Sequence, residues 1–156
     1  MATYDYTDSA SGAPAPWNMG GRFVCYKAIL KVADIIASNS TLTTATKIAA
    51  GDIIKIIDVP AGFVAMNSAI YIETAEGGTL TLDLGLADGG ELQSAADGNG
   101  TAGTAVLTLH DDTWGTDNMG GRFFSAADTI DLEYINDTDL ADLIVFVWGV
   151  QLDLTS

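Results

Sequence analysis

His110 could do the most varied chemistry of any residue in this chain, because it is the only histidine and stands beside Asp111 and Asp112. A metal centre inside a β-sandwich needs several histidines converging on one ion, so a single one cannot build it. The same imidazole would have to be the base of any Ser-His-Asp triad, but the sequence contains no G-x-S-x-G turn. We therefore expect a surface histidine at the end of a strand.

A glycine-rich acidic stretch, "DGGELQSAADGNG", offers Asp88, Glu91, Asp97 and Asn99. Carboxylates and loop carbonyls are the ligands that calcium prefers, but the spacing of an EF-hand loop or of a nonapeptide calcium repeat is absent. Whether this loop binds a cation stays open, and we predict no cofactor. Nothing selects a pair of carboxylates for glycoside hydrolysis among 21 acidic residues, so we expect a protein that is not an enzyme.

The hexapeptide "NMGGRF" occurs twice, at residues 18–23 and 118–123. The sequences that follow, "VCYKAILKV" and "FSAADTIDL", do not match, which argues against a duplicated domain. No lysine-containing phosphate motif or G-x-G-x-x-G is present, so the paired glycines do not predict a nucleotide site. In each copy Gly-Gly precedes Arg-Phe where a strand is predicted to open, as expected where a loop turns sharply before pairing begins. We interpret the repeat as a strand-opening device.

The charge is strongly acidic and unevenly placed. The formal net charge is −15, and such a surface repels phosphate backbones, so direct nucleic-acid binding is not expected. Residues 56–156 hold one basic residue, Arg122, against 17 acids. No apolar stretch approaches the roughly 20 residues that cross a bilayer, and a single cysteine, Cys25, excludes an internal disulfide. We expect a soluble protein without membrane contact, synthesised in a reducing cytoplasm.

The dominant pattern is alternation with a period of two. "TLTLDLGL" places four leucines on one face and threonine and aspartate on the other, which predicts a half-buried strand. Gly-rich and Pro-containing turn signals separate several such segments. The sequence therefore predicts an all-β fold, an eight-stranded antiparallel β-sandwich of jelly-roll type, with a closed barrel as the alternative. The predicted strands are roughly 22–33, 52–58, 63–74, 79–86, 104–110, 121–126, 128–135 and 142–153.

The last strand is apolar on both of its faces, whereas a two-sheet sandwich covers only one face of each strand. We expect the face with Leu143, Val145 and Val147 to meet another subunit or the loop carrying Trp114. The alternate face carries Ile144, Phe146, Trp148, Val150 and Leu152. This pattern predicts an oligomer.

Residues 1–20 are predicted to form an N-terminal arm, and residues 21–156 the sandwich domain. The arm is too poor in apolar residues to fold alone, yet Tyr4, Tyr6 and Trp17 could anchor it on a partner. These three aromatic residues are our candidate contacts with a partner or with another subunit, together with Leu143, Val145, Val147 and Arg122. Arg122 is the only cation available to the acidic later region, so its substitution should harm assembly if its guanidinium is partly buried.

The chain from about Gly51 to the C-terminus resembles the jelly-roll head-decoration, or cement, proteins of tailed bacteriophages and cyanophages. The stretches "IDVPAG", "TAEGGTLTLDLG" and "AADTIDL" carry the resemblance most clearly. It implies a trimer on the outer surface of an assembled capsid, at local three-fold axes, where it binds the major capsid protein and ties coat subunits together. It brings no catalytic residue. The alternative function is a carbohydrate-binding module of a phage tail fibre or spike, and a carboxylate hydrolase is the weakest.

Overall fold

The computed structural model describes residues 3–5, 11–14, 21–39, 46–86, 92–106 and 122–152. Within these ranges the chain forms eleven strands and one short helix. The strands are β1 (Thr3–Asp5), β2 (Ser11–Pro14), β3 (Gly21–Lys31), β4 (Asp52–Val59), β5 (Phe63–Thr74), β6 (Thr81–Gly85), β7 (Gln93–Asp97), β8 (Ala105–Val106), β9 (Arg122–Phe123), β10 (Asp128–Tyr134) and β11 (Asp142–Leu152). Helix α1 (Val32–Ser38) directly follows β3.

The strands form two sheets that pack face to face. Sheet A has the order β1-β4-β10-β6-β7, and sheet B has the order β2-β3-β11-β5-β8, with β9 also paired to β5. All pairs are antiparallel except β1 with β4. Side chains from both sheets share one hydrophobic core, in which Ile54, Leu132, Ile70 and Val145 have no solvent exposure. The predicted two-sheet sandwich is confirmed.

The connectivity is that of a jelly roll. The hairpin β6 with β7 is innermost, and around it β5 pairs with β8 and β9, β4 pairs with β10, and β3 pairs with β11. These nested pairs form one long antiparallel hairpin that is folded over on itself. Successive pairs along the hairpin therefore alternate between sheet A and sheet B. The chain must therefore bring its first long strand beside its last, and β3 pairs with β11 over eleven residues.

Each of the eight predicted strands overlaps an observed one, and Phe63–Thr74 has the predicted bounds. The segments predicted at 104–110 and 121–126 contain only the two-residue strands β8 and β9, which occupy adjacent positions along the same edge of β5. Strand β7 lies in a stretch interpreted as loop, where "QSAAD" lacks the large apolar residues that usually mark a strand. The innermost hairpin of the jelly roll thus includes a strand, β7, that the alternation pattern missed.

The predicted N-terminal arm contributes backbone to both sheets. Strand β1 pairs in parallel with β4 at the edge of sheet A, and β2 pairs with β3 at the edge of sheet B. The first long strand ends earlier than predicted because α1 begins at Val32. Val32 and Ile35 lie three positions apart on the same side of this helix, and both are buried.

Gly149 lies in β11 where the backbone of β5 passes very close, beside a register shift between Trp148 and Gly149. A β-carbon at Gly149 would lie 1.9 Å from the carbonyl oxygen of Val64. Because backbone cannot move aside as a side chain can, we expect Gly149→Ala to lower the free energy of unfolding by about 3 kcal/mol or more. Thermal and urea unfolding measure this loss.

Gly78→Ala is the matched control, because a β-carbon there has no heavy atom within 4 Å. It should melt within a degree or two of the wild type. A Gly149→Ala variant as stable as Gly78→Ala would contradict the close approach of the two strands.

Candidate functional site

The two sheets have outer faces of opposite character. On sheet A most outward positions of the central strands are polar, as in the cross-strand pairs of Lys55 with Asp131 and of Asp58 with Thr129, although Ile53, opposite Glu133, is apolar and buried. Asp83 and Glu133 form another such pair between β6 and β10. This face is largely polar, but it is only partly open to solvent, since Asp131 and Ile53 are each 2% exposed. It contains a shallow depression lined by Lys55, Asp58, Val59, Pro60, Ala127, Asp128 and Thr129.

The outer face of sheet B is apolar. In β11 the outward residues Ile144, Phe146, Trp148 and Val150 are each only half-buried. Most of the outward residues of β3 and β5 beside them are also apolar, namely Phe23, Cys25, Ile29, Val64, Met66 and Tyr71, whereas Lys27 and Asn67, opposite Phe146 and Trp148, are polar. A contiguous apolar sheet face that remains partly open to solvent is typical of an interaction surface. We call this surface the sheet B outer face, and it is the candidate functional site.

The face of β11 that we expected to contact a partner was the wrong one. Leu143, Val145 and Val147 have no solvent exposure and belong to the chain's own core between the sheets. They are therefore unavailable to another subunit or to the loop carrying Trp114. Alternation shows that two sets of side chains lie on opposite faces, but it cannot tell which set faces inward when both are apolar. The set with Phe146 and Trp148 is the one left outside.

The other predicted contact residues fall in different places. Arg122 is the first residue of β9 and is exposed, so the partial burial that its predicted role required is absent in this chain alone. Tyr4 is the central residue of β1, where it pairs with Ile54. Tyr6 and Trp17 lie outside the described residues, and the roles of all three aromatic residues stay predictions.

The two copies of the hexapeptide meet in sheet B. Arg22 and Phe23 lie at the start of β3, and Arg122 and Phe123 form β9. Phe23 pairs with Val150, Val150 with Val64, and Val64 with Phe123, so both phenylalanines lie in one row across four strands. Gly21 begins β3, whereas the other three glycines of the repeat are outside the described residues. The repeat was the sequence signal for this row, although we interpreted it only as a turn device.

The histidine and the acidic glycine-rich stretch were the sequence's candidates for a metal or catalytic site, and the structure describes only part of them. Asp97 ends β7, and its Oδ1 accepts a hydrogen bond of 2.9 Å from the backbone amide of Asn99, an ordinary turn contact. His110, Asp88 and Glu91 lie outside the described residues. Among the residues that are described, no group of three or more His, Cys, Asp or Glu side chains is placed to hold a metal ion. No helix in the same ranges is long and apolar enough to cross a membrane.

Glu76 organises the loop between β10 and β11. Its carboxylate accepts hydrogen bonds from the Thr138 hydroxyl and from the backbone amides of Asp139, Leu140 and Ala141, the last at 3.1 Å. Burial alone would raise the pKa of the Glu76 carboxyl, but these hydrogen bonds outweigh it and hold the pKa below its ordinary value. One carboxylate thereby satisfies three backbone donors that would otherwise depend on water.

A second acidic residue fixes the same loop from its other side. Asp137 forms an ion pair with Lys47, and its Oδ1 accepts a hydrogen bond of 2.8 Å from the backbone amide of Ala50. The backbone of Ile48 also bridges to Thr138. Tyr134 is fully buried near this end, and burial, followed by the charges of Asp142 and Glu76, raises the pKa of its hydroxyl. The arrangement stabilises a loop and has the geometry of a structural clamp.

Comparison with known proteins bears on the fold. No protein-family model matches the chain, and no curated protein matches its sequence. Among solved structures, a chain of the capsid of Ralstonia phage GP4 is similar, with a TM-score of 0.62 and 16% identity over 91% of each chain. A chain of the cyanophage Pam1 capsid asymmetric unit is also similar, with a TM-score of 0.54 and 12% identity over 90% of this chain and 92% of that one. At these identities the likeness establishes a shared fold.

The Glu76 clamp predicts a pH-dependent contribution to stability. Because the pKa of the carboxyl is lower in the folded chain, the contribution is fully present above the unfolded value of about 4.3 and is lost as the pH falls through the folded value. We expect Glu76→Gln to lower the free energy of unfolding at pH 7 by about 1 kcal/mol, a modest value because the site is partly solvated. The difference from wild type should shrink as the pH approaches 3.

Urea unfolding at a series of pH values tests this prediction. Glu73→Gln is the control, because it replaces the same carboxylate by the same amide at an exposed position of β5. A difference between wild type and Glu76→Gln that stays constant from pH 7 to pH 3 would rule out a contribution from the charge.

Proposed function

We propose that this chain is a structural virion protein, a decoration or cement protein that binds the outside of a phage head and stabilises contacts between major capsid protein subunits. The observation that carries the proposal is the jelly-roll fold shared along about nine-tenths of the chain with chains of two phage capsids. Because a fold alone does not specify a function, a surface feature must support it. The sheet B outer face is such a feature, since a structural protein acts by covering apolar surface on a neighbour.

We also propose that the protein is a homotrimer and that the sheet B outer face packs between copies. The centre of this face carries Ile144 and Phe146, which are half-buried and lie on the strand that is central in sheet B. Lys27 and Asn67 lie opposite Phe146 and Trp148 on the same face, so the interface would combine apolar and polar side chains, as protein interfaces commonly do. Lys31 and Asp142, which pair at one end of the β3 and β11 ladder, add polar residues at its margin.

Attachment to the shell has a direct measurement. Purified protein added to expanded, undecorated heads of the phage that encodes it should bind saturably, with one trimer at each site, and should raise the temperature at which the heads rupture. Quantitative sedimentation with the heads and a thermal release assay report these two effects. Decorated particles should also show the protein on their outer surface in a density map. Absence of binding to the cognate shell would refute the proposed function.

The subunit interface predicts the effect of a charge at its centre. Ile144→Lys should convert a trimer at micromolar concentration into a monomer, because burying an unpaired ammonium costs several kcal/mol. Analytical ultracentrifugation measures the state of association. Thr129→Lys introduces the same charge on the outer face of sheet A, where Thr129 is likewise half-buried, and should leave the trimer intact.

Two results would contradict this assignment of the interface. Wild-type protein that sediments as a monomer at micromolar concentration would exclude the oligomer. A trimer that survives Ile144→Lys but dissociates with Thr129→Lys would place the interface on sheet A.

A further inference from the structure

The two N-terminal strands lie on one open side of the sandwich. Strands β3 and β4 approach each other across the sandwich, so they border the same side of it. On this side β1 is the outermost strand of sheet A, paired with β4, and β2 is the outermost strand of sheet B, paired with β3. Only five residues separate Asp5, which ends β1, from Ser11, which begins β2. We call β1 and β2 together the edge strap.

The strands beneath the edge strap would be long, apolar edges without it. An uncovered edge presents unpaired backbone amides and carbonyls, which can pair with a strand of another molecule. Strand β3 has eleven residues, and β4, "DIIKIIDV", has four isoleucines among its eight. Segments of this length with many β-branched residues pair readily with copies of themselves.

The edge strap covers the regular part of β4 and ends where the strand becomes irregular. Strand β1 pairs with β4 from Ile53 to Lys55. The next residue, Ile56, is the extra residue of a bulge, because Lys55 and Ile57 pair with consecutive residues of β10. A bulge bends a strand and interrupts its pairing, so the part of β4 beyond Lys55 is a poorer template for another strand.

The described strands at the opposite edges are protected in other ways. In sheet B, β8 and β9 have two residues each. In sheet A, β7 contains Ala95, whose φ of 54° is a left-handed conformation, and its amide donates a hydrogen bond of 2.6 Å to the Asp83 carboxylate. Short edge strands and local backbone irregularities both hinder pairing between molecules. Strand β3 and the first part of β4 are long and regular, so the edge strap is the cover that the described structure gives them.

The edge strap is separate from the hydrophobic core. Among the described residues, the whole core lies between Val24 and Val147 in the sequence. Strand β1 contributes three residue pairs, in the parallel arrangement that is slightly less stable per residue than the antiparallel one. The sandwich should therefore fold without β1, but with one edge of sheet A open.

We propose that the edge strap prevents β3 and β4 from pairing with strands of other copies of this chain. Another copy is the partner that an open edge would accept, because identical apolar strands match in length and pairing pattern. Copies then associate through sheet faces and not through strand edges. This inference concerns the free protein and does not rest on the proposed attachment to a capsid.

Removal of β1 tests the proposal. A variant lacking residues 2–5 should fold, and hydrogen exchange of the β4 amides that face β1 should be at least roughly tenfold faster than in wild type. The variant should also form species larger than those of wild type as its concentration rises, with increased thioflavin T fluorescence. Sedimentation velocity and hydrogen exchange measured by mass spectrometry report these changes.

Tyr4→Ala is the matched control, because it retains the backbone of β1 and removes only its largest side chain. It should match the wild type in both measurements. A deletion variant with unchanged exchange, or with faster exchange but no association, would overturn the proposal. Association of Tyr4→Ala equal to that of the deletion variant would also overturn it, because the ring and not strand pairing would then be the protection.

A proline series in the full-length chain decides the question if the deletion variant does not fold. In a parallel edge strand only alternate residues direct their amides toward the neighbouring strand, and proline has no amide hydrogen to donate. Either Tyr4→Pro alone, or Thr3→Pro and Asp5→Pro without Tyr4→Pro, should therefore speed exchange in β4 and cause association. Equal behaviour of all three variants would contradict the edge strap.

Discussion

Strand β11 is the element on which the rest of the structure depends. It is the central strand of sheet B, and its inward side chains belong to the core that sheet B shares with sheet A. Its backbone pairs with β3 along its whole length and with β5 along all but its last residue. Its inward side chains Leu143, Val145 and Val147 pack against sheet A with no exposure to solvent. The outermost pair of the jelly roll thus joins the two ends of the sandwich domain, and the core closes only when this long-range pairing has formed.

The sequence was sufficient to predict the fold because its strands alternate so regularly. The leucines of "TLTLDLGL" are spaced so that only one face can be buried, and turn residues separate the segments. Strand β7 was missed because backbone pairing with β6, rather than its own small side chains, determines its conformation. Its first residue, Gln93, is fully buried, which no alternation of apolar residues could indicate. Helix α1 was missed because seven residues are too few to show a helical period.

The candidate site was predicted less well than the fold, and the reason lies in β11. Both of its faces are apolar, so the pattern could not indicate which face the core would take. The space between two packed sheets is about 10 Å, and here isoleucines and leucines of sheet A already fill much of it. Valine and leucine at the inward positions fit this space, and the larger rings of Phe146 and Trp148 lie outside. Deciding between the faces required the volumes of the opposing residues, which only the assembled fold provides.

The distribution of charge explains how a chain with an apolar sheet face can avoid uncontrolled association. A sandwich with two apolar outer faces could stack without limit, because contacts between opposite faces do not close into a ring. Here the outer face of sheet A carries charged cross-strand neighbours such as Asp83 and Glu133, and most of the acidic residues follow position 55 in the chain. A net charge of −15 makes encounters between copies repulsive except where burial of apolar surface is large enough to overcome it. The contrast between the two outer faces would therefore favour association through sheet B over association through sheet A.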